Sequence, residues 1–129
     1  MSIPFHYSIF QSKDKRSHTK GVKGILSFID AELLFEYKVY DLFGNSLSTL
    51  SKFSIQLAQI KKLSFKKGWP FLGSKLIIEA KQAAFFEPLP GSEQGAIVLK
   101  INRTDKKEAS HFSAKMNEYL LQQQASEGG

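Results

Sequence analysis

The sequence contains no cysteine, which excludes disulfides, thiolate metal sites and a cysteine nucleophile. It also lacks a long apolar run, and a membrane-spanning helix needs about 20 apolar residues. The segment Met1–Tyr7 has no basic start followed by an apolar stretch, so it does not predict a signal peptide. We therefore expect a cytoplasmic protein, with attachment to a membrane surface as the alternative.

Acidic residues are scarce in two parts of the chain, so the net charge of +6 is unevenly distributed. Between Asp41 and Glu79 every charged residue is a lysine: Lys52, Lys61, Lys62, Lys66, Lys67 and Lys75. A second basic stretch, the basic arm, contains Lys13, Lys15, Arg16, Lys20 and Lys23. Such stretches attract phosphates, anionic lipids or acidic proteins, or they serve solubility alone.

Apolar and polar residues alternate along several short segments, which is typical of half-buried strands. The clearest segments are Val22 to Ile29 and Glu32 to Asp41, which predict an antiparallel hairpin with a turn at Asp30-Ala31. Further strands are predicted at residues 4–10, 53–57, 60–65, 74–80, 84–87 and 96–102. A bulge is expected near Gln59, and the polar segment Gln11 to Lys20 predicts a loop.

The apolar period changes from two residues to 3.6 after Thr104, which predicts a helix to about Gln124. One stripe of this helix holds Ala109, Phe112, Met116, Tyr119 and Leu120. A helix with one apolar stripe must bury it, and the open end of a barrel is the natural place. Residues 125–129 are expected to be a disordered tail.

This order of elements resembles the pleckstrin-homology-like superfamily, in its bacterial and GRAM-like branch. The resemblance rests on the hairpin of residues 24–37, the strand Phe53–Leu57 with its continuation, the strand Lys75–Ala80, and the closing strand and helix. It implies a mainly β domain at residues 22–124: a barrel of about seven antiparallel strands in two near-orthogonal sheets, capped by one C-terminal α-helix. Residues 1–21 then form an N-terminal extension with one extra strand and a basic loop.

The resemblance implies a binding or scaffolding role, although one activity of the superfamily does not carry over. Phosphoinositide-binding members place several Lys and Arg in the first hairpin. Here the turn of that hairpin is Ile29-Asp30-Ala31-Glu32, which is acidic. We therefore do not expect inositol phosphate recognition at this turn.

No constellation of residues in the sequence predicts catalysis. His6, His18 and His111 do not have a metal-binding spacing, and they are interpreted as surface or edge residues. The acidic residues Glu32 and Glu36 share a strand face, which is usually a solvated surface. We therefore expect a non-enzymatic protein without cofactor, metal or small-molecule substrate.

The segment Lys66 to Gly73 combines two lysines with the single Trp of the sequence. Lysines attract anionic surfaces, and Trp favours boundaries between apolar and aqueous environments. The residues predicted to contact an anionic surface or a partner are Lys61, Lys62, Lys66, Lys67, Trp69 and Phe71. The alternative is that Trp69 and Phe71 fold inward and plug the barrel.

Three functions follow from these features. The first is contact with a protein partner or self-association, through an exposed strand edge or another surface. The alternative is peripheral binding to anionic lipid through the basic and aromatic loop. Nucleic acid binding is least expected of the three, because aromatic residues are not interleaved with the basic arm.

Overall fold

The described part of the protein contains seven strands, one long helix and three short 3₁₀ turns. The structure is a computed structural model that describes residues 1–13, 16–69 and 72–127. The elements are β1 (Ser2–Lys13), β2 (Arg16–Ile29), β3 (Glu32–Tyr40), β4 (Ser51–Gln56), β5 (Ile60–Lys66), β6 (Ser74–Ala80), β7 (Ala96–Ile101) and α1 (Lys106–Glu127). The predicted class, mainly β with one C-terminal helix, is confirmed.

All seven strands belong to one antiparallel sheet with the order β4-β3-β2-β1-β7-β6-β5. β4 and β5 are its edges, and the 3₁₀ turn Leu57–Gln59 connects them along the chain. β1 joins β7 through the single residue pair His6 and Lys100, whereas the other neighbouring strands pair over longer stretches. This junction, which we call the seam, divides the sheet into two halves.

The central hairpin forms as its alternation predicts, with β2 and β3 paired from Gly21 and Tyr40 to Ile29 and Glu32. Its two-residue turn places Asp30 at φ 51° and Ala31 at φ 63°. Both values are positive, as a type I′ turn requires, and this turn matches the right-handed twist of the flanking strands. The turn therefore fixes the register of β2 against β3 even though neither residue is glycine.

The core lies between the inner face of the sheet and α1. Phe35 is its aromatic centre, with ring centroids 5.9 Å from Phe5, 5.7 Å from Phe53 and 6.3 Å from Phe86. The predicted helical stripe is confirmed for Ala109, Phe112, Met116 and Leu120, which are buried, whereas its fifth residue, Tyr119, is 37% exposed. Tyr119 at the margin stacks on Phe28, with centroids 5.2 Å apart.

Three local expectations differ from the structure. The segment Gln11 to Lys20 is predicted as a loop, but β1 extends to Lys13 and β2 begins at Arg16, so most of this segment is strand. The predicted strand at 84–87 is wrong, since Ala83–Phe86 forms a 3₁₀ turn. The helix continues to Glu127 and thus enters the predicted disordered tail.

Candidate functional site: a basic row across the sheet

A line of basic side chains crosses six strands on the outer face of the sheet. Cross-strand pairing joins each residue to the next, from β5 through β6, β7, β1 and β2 to β3. In this order the basic row consists of Lys66, Lys75, Lys100, His6, Lys23 and Lys38. Strands lie about 4.8 Å apart, so five steps give a row of about 24 Å.

The row faces outward because side chains alternate along each strand. On β6 and β7, Leu76 and Leu99 are completely buried while Lys75 and Lys100 between the buried positions are exposed. On β1 the same alternation buries Ile3, Phe5 and Tyr7 and turns His6 outward, where it is half-buried. The residues that build the core thus also fix the direction of the basic side chains.

Within the ranges that the structure describes, neighbouring acids do not balance the positive charge of the row. Among the described residues, none of its five lysines forms an ion pair. The nearby acids Glu36 and Glu79 stand opposite other lysines, Lys52 and Lys62. Like charges placed directly opposite each other destabilise a sheet. The row therefore has an unfavourable electrostatic energy that an anion would relieve.

The pKa of His6 is affected by the charges of its neighbours in the row. Its pKa is lowered by burial first, and then by the positive charges of Lys100 and Lys23. On the other side of Lys23 the ammonium group lies 5.6 Å from the centroid of the Tyr40 ring, a cation–π geometry. The imidazole of His6 is thus mostly neutral near pH 7 but responds to charge nearby.

Two shallow depressions lie beside the seam on the outer surface. One depression of about 330 Å³ lies next to Lys100 and is lined by His6, Lys75 and Arg103, together with Gly73 and Asn102 among others. We call it the seam depression. A second depression of about 420 Å³ on the β2 side includes His6 and Lys23. The middle of the row is therefore concave locally.

The loop between β5 and β6 projects an exposed aromatic side chain beside the end of the row. Trp69 is 77% exposed and Leu72 is 60% exposed. The loop is tied to α1, because the Lys106 Nζ donates a hydrogen bond to the Trp69 carbonyl oxygen at 3.3 Å. Trp69 therefore does not plug the interior, and that alternative is wrong for this residue.

The structure brings together only part of the predicted contact set. Lys66, Lys67 and Trp69 lie together at the β5–β6 loop, and Lys66 begins the basic row. Lys61 and Lys62 lie at the opposite end of β5, where Lys62 faces Glu79. Phe71 lies outside the described residues.

The basic arm is also divided by the structure. Lys23 belongs to the basic row, and Lys20 lies further along β2 opposite Ile9. Lys15 lies outside the described residues, and the backbones of Lys13 and Arg16 pair with each other. The sequence does not predict the other residues of the row, above all His6 and Lys100, because they pair across strands that are far apart in sequence.

A second exposed surface lies on the loop between β3 and β4. Phe43 is 89% exposed and Leu42 is 73% exposed. The loop is nevertheless ordered, because Asp41 Oδ1 accepts hydrogen bonds from the backbone N–H groups of Phe43 at 2.9 Å and Asn45 at 2.8 Å. These bonds, with that of Asn45 first, lower the pKa of Asp41. Gly44-Asn45 predicts the loop but gives no signal that apolar side chains remain exposed.

Two other kinds of site, a metal-binding cluster and a membrane-spanning helix, are absent from the described part of the chain. Over residues 1–13, 16–69 and 72–127, no three His, Asp or Glu side chains are close enough to hold a metal ion. Over the same residues, no helix has both the length and the apolar character needed to cross a bilayer. Compared with family models, curated proteins and solved structures, the chain matches none of them.

Proposed function

We propose that this protein is a non-enzymatic binding domain that attaches to anionic membrane surfaces. The contact surface in this proposal is the β5–β6 side of the basic row together with the loop that carries Trp69 and Leu72. The proposed scaffold is a partly open barrel of the pleckstrin-homology-like type, with the two halves of the sheet meeting at the seam. The observation that carries the proposal is the unbalanced basic row beside an exposed Trp.

The lysines and the apolar side chains of this surface contribute to membrane binding through different interactions. Each Lys near an anionic leaflet contributes about 1 kcal/mol, and this contribution falls with salt. The exposed Trp69 and Leu72 add apolar area that can enter the interface, where an aromatic ring with a polar N–H is favoured. An anionic membrane provides both environments at one surface, whereas a dissolved polyanion provides only the charge.

The test is sedimentation with vesicles of phosphatidylcholine, with and without phosphatidylserine. We expect binding only to the vesicles with phosphatidylserine, and weaker binding as salt increases. The double variant Lys66→Glu, Lys67→Glu should weaken binding by at least about 30-fold, from about 1 kcal/mol per lysine. Trp69→Ala should weaken binding in a way that depends less on salt.

A matched control makes the same change of charge elsewhere. Lys107 and Lys115 are exposed on α1, outside the basic row, and the double variant Lys107→Glu, Lys115→Glu should bind like the unmodified protein. Equal binding by the Lys66, Lys67 variant and the unmodified protein, or equal binding to pure phosphatidylcholine, would contradict the proposal.

Self-association or contact with a protein partner is the second candidate function, and the β3–β4 loop favours it. Leu42 and Phe43 expose apolar surface at a turn that is stabilised by hydrogen bonds to the Asp41 carboxylate. The neighbouring strand β4 is also an edge of the sheet, which offers backbone groups to another strand. Mass measurement in solution at several concentrations tests this function, and Phe43→Ser should reduce any mass above that of one chain.

A further inference from the structure

The seam depression has the composition of an anion site. Lys75, Lys100 and Arg103 contribute positive charge, His6 adds an imidazole, and none of the acidic residues that the structure describes lines it. Arginine presents a planar fork of donors that suits phosphate oxygens, and lysines add point charges. No ion pair within the described part of the chain occupies Arg103 or these two lysines.

The shape of the depression limits the size of its ligand. Its volume of about 330 Å³ is at the lower end of the range for small-molecule sites. Part of its wall consists of closely packed backbone: at Gly73 the chain lies so near the carbonyl oxygen of Ile101 that an added Cβ atom would overlap it. A single phosphate group with a short attachment fits these dimensions better than an extended polymer.

We propose that the seam depression binds a phosphomonoester group, held by Lys75, Lys100 and Arg103, with the imidazole of His6 at its edge. The proposal deepens the proposed function, since a lipid headgroup at the membrane surface can supply this phosphate. A dissolved phosphate compound has the same chemistry, so the test must separate the two sources. The most sensitive reporter is His6, which already responds to charges beside it.

The first experiment follows the ring protons of His6 by NMR in a pH titration, with inorganic phosphate or with chloride at equal ionic strength. A bound phosphate places negative charge next to the imidazole, so we expect its pKa to rise by about 1 in phosphate only. In Lys100→Gln and Arg103→Gln the response to phosphate should be lost. In Lys115→Gln, a change on the outer surface of α1, the response should remain.

Amide spectra of each variant show whether it is folded, so a lost response is separated from a lost structure. Lys100→Gln also removes a positive neighbour of His6, and the pKa of His6 in chloride should therefore rise in this variant. The quantity that tests the site is the difference between phosphate and chloride within each protein. An equal pKa in both salts for the unmodified protein overturns the inference.

The second experiment compares vesicles that contain phosphatidic acid, a phosphomonoester, with vesicles of equal surface charge that contain phosphatidylglycerol, a phosphodiester. We expect at least about tenfold tighter binding to phosphatidic acid, and loss of this preference in Arg103→Gln. Vesicle binding without a preference and without a His6 response overturns the inference and leaves the proposed function standing. A His6 response without any vesicle binding supports the depression as a site for dissolved phosphate compounds and refutes the proposed function.

Discussion

Replacing Lys100 by Gln should stabilise the protein at low salt, because the row places like charges side by side. Lys100 stands directly opposite Lys75 on one side and His6 on the other, with Lys23 one strand further. Two unit charges about 7 Å apart in water repel by about 0.6 kcal/mol. With a smaller term from Lys23, we expect the free energy of unfolding to rise by about 0.5 to 1 kcal/mol.

Salt distinguishes this repulsion from other effects of the substitution. The Debye length is about 30 Å at 0.01 M salt and about 3 Å at 1 M, so the gain should be nearly complete at the lower salt and absent at the higher. Urea unfolding at both salt concentrations measures the difference. Circular dichroism is the suitable signal, because Trp69 is exposed in the folded protein and its fluorescence should change little.

Lys115→Gln is the control for this prediction. Its Nζ lies 3.8 Å from Glu118 Oε2, both side chains are exposed, and such a pair stabilises a helix by about 0.3 kcal/mol. The control should therefore show a small loss of stability at low salt, opposite in sign to Lys100→Gln. If Lys100→Gln gives no gain, or the same gain at 1 M salt, the row is not repulsive and the main argument for an anionic ligand fails.

Three further predictions concern the scaffold and its pH dependence. Gly24→Ala should lower the free energy of unfolding by about 2 to 3 kcal/mol in urea titrations, because the new Cβ would overlap the carbonyl oxygen of Glu36, whereas Gly21→Ala, with open space around it, should change little. Ala31→Gly should raise the free energy of unfolding, measured by thermal unfolding, by about 0.5 to 1 kcal/mol. The φ of Ala31 is 63°, a left-handed conformation that glycine adopts without the steric cost of a Cβ atom. The pKa of His6 is lowered in the folded state, so the unfolded chain takes up a proton at a higher pH than the folded protein does. The free energy of unfolding should therefore fall as pH decreases through 6.5 and become constant below the pKa of the folded state. Urea unfolding at several pH values measures this profile, and His6→Gln should remove this part of it.

Local periodicity was sufficient to predict the elements that bury an apolar face. The hairpin around Asp30-Ala31 and the helical stripe of Phe112 and Met116 are examples, because their burial depends on a pattern within one segment. The segment from Gln11 to Lys20 has no such pattern, and most of it belongs to β1 or β2 through the backbone pairing between these strands. Propensity and pattern do not reveal a strand that is stabilised mainly by its partner.

The basic row could not be predicted, because it depends on register between distant segments. His6 and Lys100 are neighbours only because β1 and β7 meet at the seam. A shift of one residue in either strand would turn one of these side chains to the inner face. By contrast, Lys66, Lys67 and Trp69 are close together in sequence, so this part of the site could be predicted from the sequence alone.

The alternation of the strands also determines how cleanly binding and folding can be separated in experiments. Leu76 and Leu99 build the core from the inner face, while Lys75 and Lys100 occupy the outer face of the same strands. Removing an outer charge leaves the packing of the inner face unchanged and relieves repulsion along the row. Such a variant is therefore expected to gain stability while it loses affinity for an anion. A loss of binding that accompanies a gain of stability cannot come from unfolding, so it assigns the anion to the row itself.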